Sequence, residues 1–163
     1  FNVRHTSNAN EQLAEVEKAL GLKEKHRMKF DEIMAHLVSF QMTATQTSDF
    51  IENVVFPMPQ KINQVGGQVV SVEEASKKAI TARKNKIEAI HKLIETGAGA
   101  DITGVRGTGY GLYQALVEWS DHERSLKVTK NRDRKEVAFE NAFWGTGADW
   151  KQDVFNNLLK LAA

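Results

Sequence analysis

The longest stretch with a single periodicity is SVEEASKKAITARKNKIEAIHKLIET, residues 71–96. Apolar side chains recur in it at the spacing of one helical face, and they are Ile80, Ile87, Ile90 and Ile94. Ser71 followed three residues later by Glu74 matches a capping box, which is typical of a helix start. Gly97 is typical of a helix end. The sequence therefore predicts a helix over about Val72–Thr96.

The same helical period recurs on both sides of this stretch. It predicts further helices over about 8–20, 23–41, 49–56, 108–124, 133–144 and 148–162. Residues 57–70 contain two prolines and two glycines and are predicted to form a flexible loop. Phe1–Thr6 alternates apolar and polar residues, as a strand does. We predict a mainly α fold, with six to seven helices in one compact, bundle-like domain over residues 1–163.

The chain begins with phenylalanine rather than methionine. We interpret its first residues as a short strand left from an upstream β-containing part. The chain is then expected to be the C-terminal fragment of a longer protein.

The composition excludes several classes of protein. The chain has 163 residues, a formal charge of +1 and no cysteine. Without cysteine it cannot be a disulfide scaffold, bind zinc through thiolates or use a cysteine nucleophile. No apolar run is long enough to span a membrane, so no membrane partner is expected. No motif indicates a cofactor, and none is predicted.

Basic residues are concentrated in two segments, 76–92 and 124–135. Clustered cations on one element are the footprint expected of a nucleic-acid-binding surface. The candidate phosphate-binding residues are Lys77, Lys78, Arg83, Lys84, Lys86, Arg132 and Arg134. An ordinary solvated surface explains the same clustering equally well.

A glycine-rich stretch, Gly104–Gly111, precedes the helix predicted at about 108. Glycines let a backbone approach phosphate, and a helix N-terminus attracts anions, so this stretch is a candidate phosphate cradle with Arg106 beside it. Its spacing matches neither a P-loop nor a dinucleotide fingerprint, which favours a flexible linker. Tyr110 is the best candidate for an exposed aromatic ring that stacks on a base, although aromatics at helical spacing are more often core residues.

Glu118 and His122 are four residues apart on one predicted helix, with Asp121 between them. A carboxylate and an imidazole on one face are able to bind a metal or act as an acid–base pair. A hydrogen-bonded pair that orients the helix end is the simpler interpretation. We predict no catalytic residues and no metal site, and the support for an enzyme is weak.

Three segments of the sequence resemble a known family. Residues 108–124, TGYGLYQALVEWSDHER, resemble the "T-x-x-G-x-x-x-A-x-x-E-aromatic-x-D-H" block of the phage/plasmid-like protein family, catalogued as domain of unknown function 932. Residues 139–148, FENAFWGTGA, resemble its closing block, and residues 1–22 resemble its "F-x-I-R-H-T … A-L-G-L" segment. The matching block residues are Thr108, Gly111, Ala115, Glu118, Asp121, His122, Phe139, Glu140, Gly145 and Gly147.

The resemblance implies a protein of phages, prophages and plasmids, in the cytoplasm of a bacterial host, from a family without an established activity. The absent N-terminal half is, by analogy, β-rich and loosely similar to single-strand annealing proteins. We therefore expect a nucleic-acid-binding accessory that oligomerises and acts on single-stranded DNA in recombination or replication. The alternatives are an oligomeric structural or interaction module without nucleic-acid binding and, less favoured, a metal-dependent enzyme using Glu118, Asp121 and His122.

Overall fold

A computed structural model describes residues 29–65, 68–126 and 128–163. The predicted strand at Phe1–Thr6 and the predicted helix over about 8–20 lie outside these residues. The described part contains six α-helices and one β-hairpin, so the predicted mainly α fold is confirmed. Two compact units divide the chain between His36 and Leu37, and each is described by itself. The prediction of one domain over residues 1–163 is therefore not confirmed.

The first described helix, α1, covers residues 29–39, within the predicted range 23–41. Helix α2 covers Ala44–Asp49 and continues as a π-helix over Phe50–Val55. It begins five residues before the prediction because Thr43 is its N-cap. The Thr43 hydroxyl accepts a hydrogen bond from the Gln46 amide (3.2 Å), and the Gln46 side chain accepts one from the Thr43 amide (2.9 Å). This reciprocal capping box satisfies two amides at the helix start.

The predicted flexible loop over 57–70 is wrong. Strands β1 (Gln60–Val65) and β2 (Gln68–Glu74) form an antiparallel hairpin with Ile62 opposite Val72 and a bulge between Asn63 and Gln64. Lys61 and Glu73 face each other across it and form a 3.0 Å ion pair.

The helix predicted from residue 72 begins later, because Ser71 and Glu74 belong to β2 rather than to a capping box. Helix α3 covers Lys77–Thr96, and its N-cap is Ser76, whose hydroxyl accepts from the Ala79 amide (3.3 Å).

The C-terminal helices agree with the predicted ones to within about two residues. Helix α4 covers Gly109–Glu118 and continues as a π-helix over Trp119–Glu123. Helix α5 covers Arg134–Phe143, and helix α6 covers Thr146–Ala162. Asp133 caps α5 by accepting hydrogen bonds from two amides of its first turn. None of the helices in the described ranges is long and apolar enough to cross a membrane.

The core of the second unit combines apolar side chains from all its helices except α5. Leu37, Ile51, Ile90, Leu116 and Leu158 are completely buried. An aromatic group adjoins them: the rings of Trp119 and Trp150 lie with centroids 5.5 Å apart, and Phe56 packs edge-on against Trp119 at 5.2 Å. Such contacts stabilise the π-helical segment that joins α4 to the rest of the core.

Candidate nucleic-acid interface

The glycine-rich stretch before α4 is a packed loop, and two of the amides near the helix start are already used. The Gly109 amide donates to the Phe40 carbonyl (2.9 Å), and the Gly111 amide donates to the Thr108 hydroxyl (3.1 Å). The Gly107 carbonyl accepts from the Met42 amide (2.8 Å). A phosphate cradle needs free amides at the helix start. The structure therefore does not support the cradle, nor the flexible linker that was its alternative.

Two family-block residues hold this loop against α4. Thr108 is the buried N-cap, and its hydroxyl donates to the Val105 carbonyl (2.6 Å). Gly111 lies so close to the Val105 carbonyl that a Cβ atom on it would overlap the oxygen. Ala115, one turn further on, is buried in the helix. Position 108 requires a capping side chain, position 111 requires glycine and position 115 requires a small side chain. All three requirements are structural.

The Glu118–His122 block also has mainly structural contacts. The Glu118 carboxylate accepts from the Ala98 amide (2.9 Å) and so ties α4 to the loop after α3. Asp121 forms a 2.8 Å ion pair with Lys151 of α6, and neither side chain is more than about a quarter exposed. The predicted pairing of Glu118 with His122 is replaced by these two contacts, since the π-helix alters the spacing of side chains around the axis.

His122 is the exposed member of that block. Its side chain makes no hydrogen bond or ion pair with any other residue in the described ranges. It lines an open cavity of about 300 Å³ together with Gly99, Gln114 and Glu118. Nowhere in the described ranges do three or more histidine or carboxylate side chains form a group able to hold a metal ion.

Two of the predicted phosphate-binding arginines are paired with other groups of the protein, Arg83 in a partly buried position and Arg132 at the surface. Arg83 is about 15% exposed, and its guanidinium donates to the Phe56 carbonyl (2.7 Å) and the Glu52 carbonyl (2.8 Å). Arg132 lies 2.6 Å from the Glu140 carboxylate and 4.0 Å from that of Glu136. The hydrogen bond and charge of Glu140 raise the pKa of Arg132 above its ordinary value. Arg83 therefore fixes the π-helix of residues 50–55 against α3, and Arg132 offsets the charges of Glu136 and Glu140.

The other predicted cations are exposed, and they are Lys77, Lys78, Lys84, Lys86, Arg106 and Arg134. Lys84 has an exposed 3.6 Å ion pair with Glu88, which contributes little. The Lys86 ammonium lies 5.7 Å from the centre of the Phe56 ring. Lys135, which the prediction did not single out, is exposed beside Arg134 at the start of α5. The structure thus leaves two separate groups of exposed cations, one on α3 and one on α5.

Replacing Arg83 with alanine is expected to lower stability by about 2 kcal/mol, because two partly buried carbonyl groups lose their donors. For a chain of this size the melting temperature should fall by about 6 °C. Arg134→Ala is the matched control, since its exposed side chain forms no hydrogen bond or ion pair with another residue of the described ranges, and the melting temperature should stay constant. Thermal unfolding measures both. Equal melting temperatures for the two variants would contradict the structural role of Arg83.

Tyr110 is not the exposed ring that the sequence suggested. It is half-buried against the core, and its hydroxyl lies 2.6 Å from the Gln114 amide nitrogen. Phe30 is also exposed, but the exposed rings that cluster in the described ranges are Phe139, Phe143 and Trp144, whose side chains are 56%, 61% and 74% exposed. Their centroids lie 4.8 to 5.7 Å apart, so each ring contacts both others. We call these three residues the aromatic face.

A cation lies beside the aromatic face. Lys135, Phe139 and Phe143 are spaced four residues apart along α5, so they share one side of the helix. Glu136 and Glu140 project nearby, and Arg132 balances their charge. An exposed apolar surface of three mutually tilted rings, next to exposed cations, suits a ligand that combines planar rings with negative charge. The sequence shows that Lys135, Phe139 and Phe143 share one side of a helix. Whether these side chains are exposed depends on which side of α5 packs against the rest of the protein.

The closing family block separates into structural and exposed positions. The Gly147 amide donates to the Asn141 side chain (3.0 Å), and a Cβ on Gly147 would lie 2.7 Å from the Asn141 carbonyl oxygen. A Cβ on Gly145 would approach the Asn141 backbone to 3.0 Å. These glycines allow α5 and α6 to meet closely. Phe139 belongs to the same block, yet more than half of its side chain is exposed, so burial does not explain it.

Fold and site together define a mainly α protein whose candidate site is an open surface rather than an enclosed pocket. The family described as "Domain of unknown function (DUF932)" matches residues 1–144, and the chain belongs to this family. Neither a curated protein nor a solved structure matches the chain.

Proposed function

We propose that the protein binds single-stranded nucleic acid through the aromatic face. The carrying observation is the group of three mutually contacting rings, each more than half exposed. Exposed clusters of large apolar side chains mark interaction sites, because leaving them in water is unfavourable. The resemblance to phage and plasmid proteins supports a part in recombination or replication of a mobile element.

Single strands suit this surface better than duplex does. Base–aromatic stacking contributes about 1–3 kcal/mol per base and tolerates any sequence. In a duplex the base faces are already stacked on their neighbours, so the rings gain nothing without unstacking them. Arg134 and Lys135 lie within the first turn of the same helix, where they are able to contact phosphates on either side of a stacked base.

The exposed lysines of α3 provide a second contact region for a longer strand. Lys77 and Lys78 begin the helix, and neither has an ion-pair partner among the described residues. Arg106 projects from the loop before α4 and is exposed as well. The contribution of these cations is purely electrostatic, so it should fall as the salt concentration rises.

An oligomeric interaction module is the second candidate function. The hairpin of β1 and β2 favours it, because no other strand in the described ranges pairs with either edge of this hairpin. One protein is able to have both functions. A measurement of nucleic-acid binding distinguishes the first function from the second. If the protein bound no nucleic acid at low salt, we would interpret the aromatic face as a protein-docking surface.

Fluorescence anisotropy of a labelled oligonucleotide tests the proposal. We expect tighter binding to a single strand than to a duplex competitor, with an affinity that falls as salt increases. Lys135→Gln should weaken binding several-fold and lower the salt slope by about 0.7, the value of one phosphate contact on a single strand. Lys160→Gln, an exposed lysine in the last turn of α6, is the matched control and should change neither quantity. Equal affinities for single strand and duplex would refute the proposal.

A further inference from the structure

The three rings of the aromatic face are tilted against one another. The angle between the ring planes is 41° for Phe139 and Phe143, 45° for Phe143 and Trp144, and 62° for Phe139 and Trp144. Each ring contacts both others, and these contacts stabilise the tilted arrangement. The aromatic face therefore consists of three different planes rather than one continuous platform.

This geometry limits the number of bases that stack on the aromatic face. A stacked base lies parallel to the ring that it covers. A base parallel to one of the three rings is inclined by at least 41° to the other two, so it meets them at an edge. Successive bases of a stacked run are parallel to one another, so they cannot cover two of these rings at once. A stacked run therefore gains no more stacking from this face than a single base does.

Trp144 is the ring best placed to stack on that base. Its side chain is 74% exposed, the largest fraction of the three, and it follows the last residue of α5 as the C-cap. A base that lies parallel to the Trp144 ring is inclined by 62° to the Phe139 ring. Aromatic pairs favour such steep, edge-to-face arrangements. Phe139 is therefore able to contact the edge of the same base.

The charges of α5 restrict where the backbone of the strand lies. Lys135 precedes Phe139 by one turn on the same side of the helix, about 6 Å along its axis, and favours a phosphate there. Glu136 and Glu140 lie beside the rings with 62% and 48% of their side chains exposed, and the single guanidinium of Arg132 is paired with both. Two carboxylates with one guanidinium keep a net negative charge, which repels the phosphates of further nucleotides.

We propose that the aromatic face holds one base at a time, turned out of its stack and stacked on Trp144, with an adjacent phosphate at Lys135. The inference rests on the proposed binding of single strands, and it identifies the ligand of that site as a single unstacked base rather than a run of stacked bases. Unstacked bases of this kind occur at the ends, loops and bulges of nucleic-acid strands.

Abasic strands of equal length test the inference when they carry no base, one central base or two adjacent central bases. Fluorescence anisotropy should show that the first base tightens binding about tenfold, the effect of one stacked base. The second base should add no more than about twofold, because it offers the same site a second choice of base. A second tenfold gain would overturn the inference and leave the proposed function intact. No binding even of a strand with all its bases would contradict the proposed function and the inference together.

Trp144→Ala identifies the ring on which the base stacks. This variant should lose most of the gain from the single base and keep its affinity for the fully abasic strand, because the phosphate contacts remain. Ile102→Ala is the matched control, since its side chain is 53% exposed and lies outside the aromatic face, and it should keep both affinities. A tenfold gain that persisted in Trp144→Ala would show that the base stacks elsewhere, and the inference would be wrong.

Discussion

The double replacement Phe139→Ala and Trp144→Ala is expected to weaken single-strand binding about a hundredfold. Each ring that stacks on a base contributes about 1–3 kcal/mol, and about 1.4 kcal/mol corresponds to a tenfold change in affinity. Both side chains are more than half exposed, so the core loses nothing. The melting temperature should therefore change by less than about 2 °C.

Anisotropy with the labelled single strand, combined with thermal unfolding, measures these two effects separately. Met58→Ala with Ile102→Ala is the matched control. Both are apolar side chains that are more than half exposed, and both lie outside the aromatic face. This control should bind as tightly as the natural protein does. If both double variants lost affinity to the same degree, general surface hydrophobicity would explain binding and the aromatic face would have no special role.

The second large effect is expected at Gly111, which should not tolerate even a methyl group. A Cβ there would overlap the Val105 carbonyl oxygen, a backbone atom fixed by its hydrogen bond to the Thr108 hydroxyl. Gly111→Ala should lower the free energy of unfolding by about 3 kcal/mol, because the loop must move away from α4. The gain of about 1 kcal/mol in helix propensity is smaller than this cost.

Gly99→Ala is the matched control for Gly111→Ala. A Cβ on Gly99 would meet the Gln114 Cβ at 3.6 Å, an ordinary van der Waals contact. Its free energy of unfolding should therefore stay within about 0.5 kcal/mol of the natural value. Urea denaturation of the two variants measures the difference. A Gly111→Ala protein as stable as Gly99→Ala would show that the loop before α4 adapts freely.

The helices with clear caps and periodic apolar residues were predictable from sequence. Thr108 marks the start of α4 as expected, because its hydroxyl caps the first turn. The hairpin was missed because Pro57, Pro59 and the glycine pair were interpreted as loop signals. A different signal was present: exactly two glycines, Gly66 and Gly67, separate two short runs rich in polar and β-branched residues. That spacing is typical of a β-hairpin.

The site was only partly predictable, because sequence shows residue types but not which of them packing leaves exposed. Arg83 was counted as a surface cation, although its helical position falls between Ile80 and Ile87, on the apolar side of α3. Phe139 and Phe143 have the spacing of core residues, and only their position on α5 in the folded chain shows that they are exposed. The basic clustering therefore indicated two elements that carry exposed cations, but it did not show that Arg83 and Arg132 are paired within the protein.

Intrinsic tryptophan fluorescence tests the central claim most directly. Trp119 is buried, Trp150 is half-buried and Trp144 is 74% exposed, so a bound base is able to reach Trp144 alone among the three. Titration with an unlabelled single strand should quench the exposed component of the emission. Trp144→Phe, which keeps an aromatic ring, should bind nearly as well but show no quenching. Tight single-strand binding with unchanged emission from the natural protein would contradict stacking on the aromatic face.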